Sequence, residues 1–210
     1  MIVETFPVGA LACNCTIVGD PAAGEAIVID GGDEVDAIAS RLAAHGLRAR
    51  YLLHTHAHID HIGVAGDLRE RCGGDALLHP ADLPLYATLA DQARWLGLPG
   101  ADVVRLDGDL LDGDRFTVGS VDLDVIHTPG HTPGSSSFAL TEDGRTTLFT
   151  GDTLFRGAVG RWDLGGTSLE DIVASIRTKL LVFADATSVV PGHGPATTIG
   201  TERLTNPFLA

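Results

Sequence analysis

Between His54 and His61 the chain reads His-Thr-His-Ala-His-Ile-Asp-His. Four imidazoles and a carboxylate within eight residues have few uses other than gripping metal. A solvated loop draws on Lys, Glu, Ser and Gly long before it accumulates histidine. Imidazole nitrogen and carboxylate oxygen are the donors that Zn²⁺, Fe and Mn²⁺ accept. The flanks constrain the fold further. Arg50-Tyr51-Leu52-Leu53 reads as the end of a buried strand, and Ile62 to Cys72 reads as a helix. The donors therefore fall where a sheet ends and a helix begins.

The rest of the chain supplies alternating strands and helices. Strands are expected over residues 1–6, 14–19 and 26–30, the last stopped by Gly31-Gly32. Val35, Ile38, Ala39 and Leu42 recur with a helical period that Gly46 closes. After the helix at 62–72 come a strand at 76–78 and short helical pieces over 81–98, broken by Pro84 and Pro99. A second run of strands is expected at 103–106, 115–118, 121–127, 136–140 and 146–150. A helix follows from Ser168 to Leu181, with Ser168 as its cap, and then a strand at 187–190. Strands followed by helices, twice over, predict two packed sheets with helices outside. No linker-like or low-complexity segment divides the chain, so residues 1–210 read as a single domain.

Composition narrows the function classes. Only 5% of residues are aromatic, so the core must rest on Val, Leu, Ile and Ala. No segment approaches the ~18 consecutive apolar residues of a membrane helix. Met1 to Phe6 lacks the basic and apolar regions of a signal peptide, so a cytoplasmic location and no membrane partner are expected. The formal charge of −14 repels phosphate backbones, which makes nucleic acid an unexpected partner. Cys13, Cys15 and Cys72 form no CxxC pair and read as small buried or half-buried thiols in a reducing compartment.

Three further candidate donors stand in Gly- and Pro-framed loops after strands. They are His131 in Pro129-Gly130-His131-Thr132-Pro133-Gly134, Asp152 in Gly151-Asp152-Thr153, and His193 in Pro191-Gly192-His193-Gly194-Pro195. Glycine and proline fix unusual turns that aim a short side chain at a set place. There is also an internal echo, since His54-Thr55-x-x-His58 and His127-Thr128-x-x-His131 each follow an apolar strand. The pattern Thr55-His56-x-His58-x-Asp60-His61, with His131, Asp152 and His193 in order, resembles the metallo-β-lactamase superfamily over nearly the whole chain. The resemblance implies an α+β fold, a four-layer αββα sandwich with a dinuclear site at one edge. It implies that His56, His58 and His131 hold one divalent metal, that Asp60, His61 and His193 hold the other, and that Asp152 bridges them. Zinc is the expected metal, with iron or manganese as alternatives.

Within the superfamily, Thr132-Pro133-Gly134-Ser135, Gly151-Asp152-Thr153-Leu154-Phe155 and the Gly160-Arg161 loop look like the glyoxalase II branch. The ending Thr201 to Leu209 looks like its short members. Only 17 residues follow His193, so the helical domain that grips glutathione in full-length glyoxalase II has no counterpart here. The resemblance implies hydrolysis of a small-molecule thioester, S-(2-hydroxyacyl)glutathione or a related S-acyl thiol, by a metal-bridging hydroxide that Asp60 and Asp152 orient. Two rivals share the fold, a persulfide dioxygenase with a single iron and a lactonase. Arg156 and Arg161 have two open roles, binding a substrate carboxylate or pairing with local acids such as Asp163. His54, His79 and His127 are expected to support or pack near the donors, and His45 to end a helix.

Overall fold

The computed structural model describes residues 1–163 and 166–209. The first half of the chain forms β1 (Ile2–Val8), β2 (Cys13–Asp20), β3 (Glu25–Ile29), α1 (Val35–Ala44), β4 (Arg48–Leu53), α2 (Ile59–Ile62), α3 (Ala65–Cys72), β5 (Asp75–Leu78), α4 (Leu83–Tyr86), α5 (Leu89–Leu96) and β6 (Gly108–Asp109). The second half forms β7 (Arg115–Val118), β8 (Val121–His127), β9 (Ser136–Glu142), β10 (Arg145–Gly151), β11 (Leu154–Phe155), β12 (Ala158–Val159), α6 (Leu169–Ser175), β13 (Ser188–Pro191), β14 (Thr197–Thr198) and α7 (Ile199–Thr205).

Two six-stranded mixed sheets result, in the orders β1-β2-β3-β4-β5-β6 and β14-β13-β10-β9-β8-β7. In the first, β1, β2 and β3 run antiparallel and β3 to β6 run parallel. In the second, β13 runs parallel to β10 and its other pairs are antiparallel.

Side chains alternate across a strand, and that period sorts the apolar residues into layers. Ile17, Val28 and Leu52 face Ile38, Leu42 and Leu68 of α1 and α3, outside the first sheet. Their neighbours Val18, Ile27, Ile29 and Leu53 face the other way, onto Val125, Phe138, Leu140 and Phe149 of the second sheet. Ala139, Leu148 and Val189 then point outward, onto Ile172, Ile176, Leu180 and Ile199. Strands covered on both faces have no polar side to spare, which explains the unbroken run Ala26-Ile27-Val28-Ile29. The order helix, sheet, sheet, helix is the αββα sandwich expected from the sequence.

Some elements differ from expectation. Residues 103–106 form no strand, because the Tyr86 hydroxyl takes both backbone groups of Val104, at 3.1 and 3.2 Å. The sixth strand is Gly108–Asp109 instead, paired with Leu77–Leu78. The helix expected at 62–72 begins inside the histidine stretch and breaks at Gly63-Val64 into α2 and α3. The hairpin β11–β12, strand β14 and helix α7 were not expected at all. Ser168 does cap α6, accepting from the Asp171 N–H, and a π turn over Ile176–Leu180 extends that helix. His45 ends α1 as expected. Among the described residues no helix is long and apolar enough to cross a membrane.

Phe138 is fully buried between the sheets. Phe138→Ala is expected to lower the unfolding free energy by about 3–5 kcal/mol. Urea denaturation measures it, and a loss below about 1 kcal/mol would mean that the two sheets do not share this core.

Candidate metal centre

The parallel strands β3 and β4 end at the same edge of the first sheet, and the chain leaves β4 directly into the histidine stretch. His58 stands at the N-cap of α2, and the first turn of α2 carries Asp60 and His61. From the second sheet, His131 comes from the loop after β8, Asp152 from the turn after β10, and His193 from the loop after β13. All seven residues predicted as ligands meet at this edge.

They meet as two groups. His58 Nδ1 lies 2.9 Å from both His56 Nε2 and His131 Nε2. His61 Nε2 lies 3.3 Å from His193 Nε2, and Asp60 Oδ2 lies 3.1 Å from His193 Nε2 and 3.6 Å from His61 Nε2. Asp152 stands between the groups. Its Oδ1 lies 3.5 Å from His61 Nε2 and 3.8 Å from His193 Nε2, while its Oδ2 lies 3.6 Å from His131 Nε2.

The far side of each ring explains why its near nitrogen is free. A carbonyl or carboxylate oxygen only accepts, so the ring nitrogen facing it carries the proton. His131 Nδ1 donates to the Arg161 carbonyl (2.8 Å), and His193 Nδ1 donates to the Leu11 carbonyl (3.1 Å). His61 Nδ1 donates to Asp30 Oδ2 (3.0 Å). The Thr55 hydroxyl donates to the same oxygen (2.8 Å) and accepts from His56 Nδ1 (3.0 Å). Each of these four rings therefore turns its Nε2 into the centre. Burial, reinforced by the neighbouring imidazoles, drives His58 down to about 3. Burial likewise lowers His131 to about 4, so both rings are neutral at pH 7. Burial also raises the Asp152 carboxyl, and its Oδ1 has no hydrogen-bond partner. Against the effect of burial, Cys13, Asp30 and Asp152 raise His61, and Asp60 and Asp152 raise His193, so these two rings favour a cationic partner at Nε2. Imidazole nitrogens converging on an orphaned carboxylate oxygen fit a pair of divalent cations.

Backbone shape at the site depends on two glycines. A Cβ on Gly192 would stand 2.2 Å from Asp152 Oδ1, and one on Gly160 would stand 1.7 Å from the Asp152 carbonyl oxygen. Both loops therefore close against Asp152 only as glycine.

Three supporting residues escaped the sequence reading. Asp30 is buried, and beyond its bonds to Thr55 Oγ1 and His61 it accepts from the Thr55 N–H at 2.7 Å. Its φ of 52° is left-handed, a region Asp enters more readily than most residues. Asp82, fully buried, accepts from the N–H groups of Ala57 and Gly134 and from the Thr132 hydroxyl, tying the histidine stretch to the His131 loop. Asn14 donates to the carbonyls of Pro191 and Gly194 on either side of His193. All three are common polar residues without a local motif, so nothing in one sequence marks them.

The remaining candidates are placed as follows. His54 lies next to the site, its Nδ1 3.0 Å from the His61 carbonyl. His79 and His127 stack with centroids 4.0 Å apart, away from the ligand groups. Arg161 forks onto Asp163 at 2.9 and 3.1 Å, and Arg156 donates to the Ala196 carbonyl at 2.7 Å. Cys13 and Cys15 are buried free thiols and Cys72 is half-buried. Cys13 Sγ lies 3.5 Å from His61 Nδ1, on the side of the ring that faces away from the centre. Burial pushes the Cys13 thiol up to about 12, so it is neutral.

This fold and this edge place the chain in a family of metal-dependent hydrolases. It belongs to the metallo-beta-lactamase superfamily, which residues 8–193 match. Across 216 aligned residues it is 38% identical to the hydroxyacylglutathione hydrolase GloC of Haemophilus influenzae, covering 100% of this chain and 98% of that protein. Its backbone is similar to the crystal structure of BLEG-1 B3 metallo-beta-lactamase (TM-score 0.89, 34% identity, 99% of each chain). It is also similar to TTHA1623 in a di-iron-bound form (TM-score 0.87, 39% identity, 98% of this chain and 100% of the other).

The pinned imidazoles have two measurable consequences. Asp30→Ala removes the acceptor that orients His61, and is expected to weaken divalent metal binding by about 10–100-fold. Competition with a chelating dye measures that, and an unchanged affinity would remove Asp30 from the support of the centre. The second concerns pH. Unfolded, a histidine takes its proton near 6.5, whereas His58 and His131 in the fold wait until about 3 and about 4. Within that window the unfolded chain binds more protons at these two positions, so their contribution to the stability of the metal-free protein rises with pH and is complete above about 6.5, while His61 and His193, raised in the fold, contribute with the opposite sign. Lowering the pH from 6.5 towards 4 should cost at most about 1.4 kcal/mol per unit for each of the two rings. Urea denaturation of metal-free protein at pH 7.5, 6 and 5 checks it, and a contribution that grew on acidification would contradict neutral buried rings.

Proposed function

We propose that the chain is a dinuclear metal-dependent thioesterase of the glyoxalase II type, cleaving S-(2-hydroxyacyl)glutathione or a related S-acyl thiol. The observation that carries the two-metal reading is Asp152, whose two oxygens face different histidine groups. In this reading His56, His58 and His131 hold one metal, Asp60, His61 and His193 hold the other, and Asp152 belongs to both. The substrate class comes from the Haemophilus relative, similar along its full length. Zinc is our proposed occupant, and the di-iron relative makes iron the competing one.

Two divalent ions at this edge would supply Lewis acidity that acidifies water and polarises a thioester carbonyl. The protein's own part is positional. Asp60 and Asp152 keep about one-sixth of their side chains exposed at the centre, where a carboxylate oxygen not taken up by a metal would accept from the attacking water and orient it. The buried rings of His56, His58 and His131 neither compete for that water's proton nor change charge near pH 7. A thiol leaves as thiolate with a pKa near ~8.5, so no strong general acid is required at the leaving sulfur. The reading takes the whole chain as one hydrolase domain acting on a small molecule, and the net charge of −14 weighs against nucleic acid. Arg156 and Arg161 flank the Asp152 turn, and a substrate carboxylate would have to displace the partners they hold.

A second reading, hydrolysis of a β-lactam, is supported by the likeness to BLEG-1. One experiment separates the possibilities. Protein purified without added metal is analysed for metal per chain and assayed with S-lactoylglutathione, a β-lactam, a lactone and, by oxygen uptake, a persulfide. Two metals with thioester turnover that Asp152→Ala lowers by about 100-fold or more are expected. A single iron with oxygen uptake and no thioester cleavage would replace the thioesterase with a dioxygenase.

A further inference from the structure

The closing segment contributes no ligand to the centre, yet it carries a fully buried carboxylate, Glu202 of α7. Its oxygens reach two different loops. Oε1 accepts from the Thr197 hydroxyl at 2.6 Å. Thr197 opens β14, four residues beyond His193. Oε2 accepts from the Gly157 N–H at 2.8 Å and from Asn206 Nδ2 at 2.9 Å. Gly157 sits at the tip of the β11–β12 hairpin, which leaves Asp152 and leads to Arg161, the residue whose carbonyl holds His131. The Asn206 amide also donates to the Ala158 carbonyl on that tip, at 3.0 Å.

Arg156 adds a second strap between the same loops through its 2.7 Å bond to the Ala196 carbonyl. The local strands are too short to hold position alone. β11, β12 and β14 have two residues each, and a two-stranded ribbon is marginal at best in water. The near end of the His193 loop is held by Asn14 and by the Gly192 N–H bond to the Gly151 carbonyl at 2.7 Å; the buried carboxylate and its three neutral donors tie the far end to the hairpin.

We propose that Glu202 is a positioning residue of the metal centre: by tying the His193 loop to the β11–β12 hairpin, it sets the spacing between the two ligand groups. The inference rests on the dinuclear reading of that centre. Glu202→Gln keeps the volume but removes the charge: the Thr197 hydroxyl can turn to accept from the new amide, and the bonds from Gly157 and Asn206 lose their charge assistance. Thr197→Val is nearly isosteric and removes only the hydroxyl that reaches Oε1. Arg156 takes a structural part in the same clasp.

The test is titration of wild type and both variants with zinc ion against a chelating dye, with cobalt(II) absorption spectra recorded well below each unfolding midpoint. Leu42→Ala, under α1 on the opposite side of the first sheet, serves as a variant destabilised without touching the clasp. Glu202→Gln is expected to weaken zinc by about 10-fold or more and to shift the cobalt spectrum. Thr197→Val should move both in the same direction by less, and Leu42→Ala should move neither. If Glu202→Gln does not fold, Thr197→Val decides. Wild-type affinity and an unchanged cobalt spectrum in the clasp variants would overturn the proposal and leave Glu202 a purely structural residue. Failure of the wild-type protein to bind zinc or cobalt would instead remove the dinuclear reading, and the clasp with it.

Discussion

The Asp30 carboxylate is the contact on which the site edge depends. It stands just past the end of β3, and its acceptors are filled by Thr55 and His61 from the chain that leaves the neighbouring parallel strand β4. Parallel strands deliver their carboxyl ends to one edge, which is why open sheets place their sites there. Delivery alone leaves the side chains loose. Asp30 converts adjacency into direction, since it fixes the proton of one imidazole itself and that of a second through the Thr55 hydroxyl. A buried carboxylate is tolerated only when its oxygens are filled, so the same bonds that orient the rings also keep Asp30 in place.

Much of this was legible in the sequence, and the reason is local. A histidine-rich stretch after an apolar strand, and Gly-framed loops after other strands, are patterns carried by neighbours in the chain. The alternation that divides Val28 from Ile27 and Ile29 is a period-two signal of the same kind. What escaped was the support. Asp30, Asp82 and Glu202 are three among 28 acids, and each is distinguished only by donors more than twenty residues away or by burial that the whole fold creates. The strand misplaced at 103–106 failed for a related reason. Its β-branched residues suit a sheet, but a tyrosine hydroxyl from α4 satisfies the backbone of Val104 first. The two-residue strands β11, β12 and β14 have too little length to show any period.

The electrostatics of the site contrast with those of the surface. The chain carries a net −14, yet in one ligand group, His56, His58 and His131, burial keeps the imidazoles uncharged, while in the other the neighbouring carboxylates raise His61 and His193. The two carboxylates of the centre, Asp60 and Asp152, both lie against that second pair of rings. The acidic exterior favours the approach of cations, and the centre offers them imidazole nitrogens and two carboxylates.

The chain builds its first sheet entirely from residues before 110 and its second entirely from residues after 114. His56, His58, Asp60 and His61 come with the first, and His131, Asp152 and His193 with the second. In the proposed assignment neither sheet owns a complete set, so each ion would be a rivet through both layers. Its binding energy would then add to the cohesion of the sandwich by mass action. The supply of metal in the surroundings would set how long the folded protein survives, as well as whether it works.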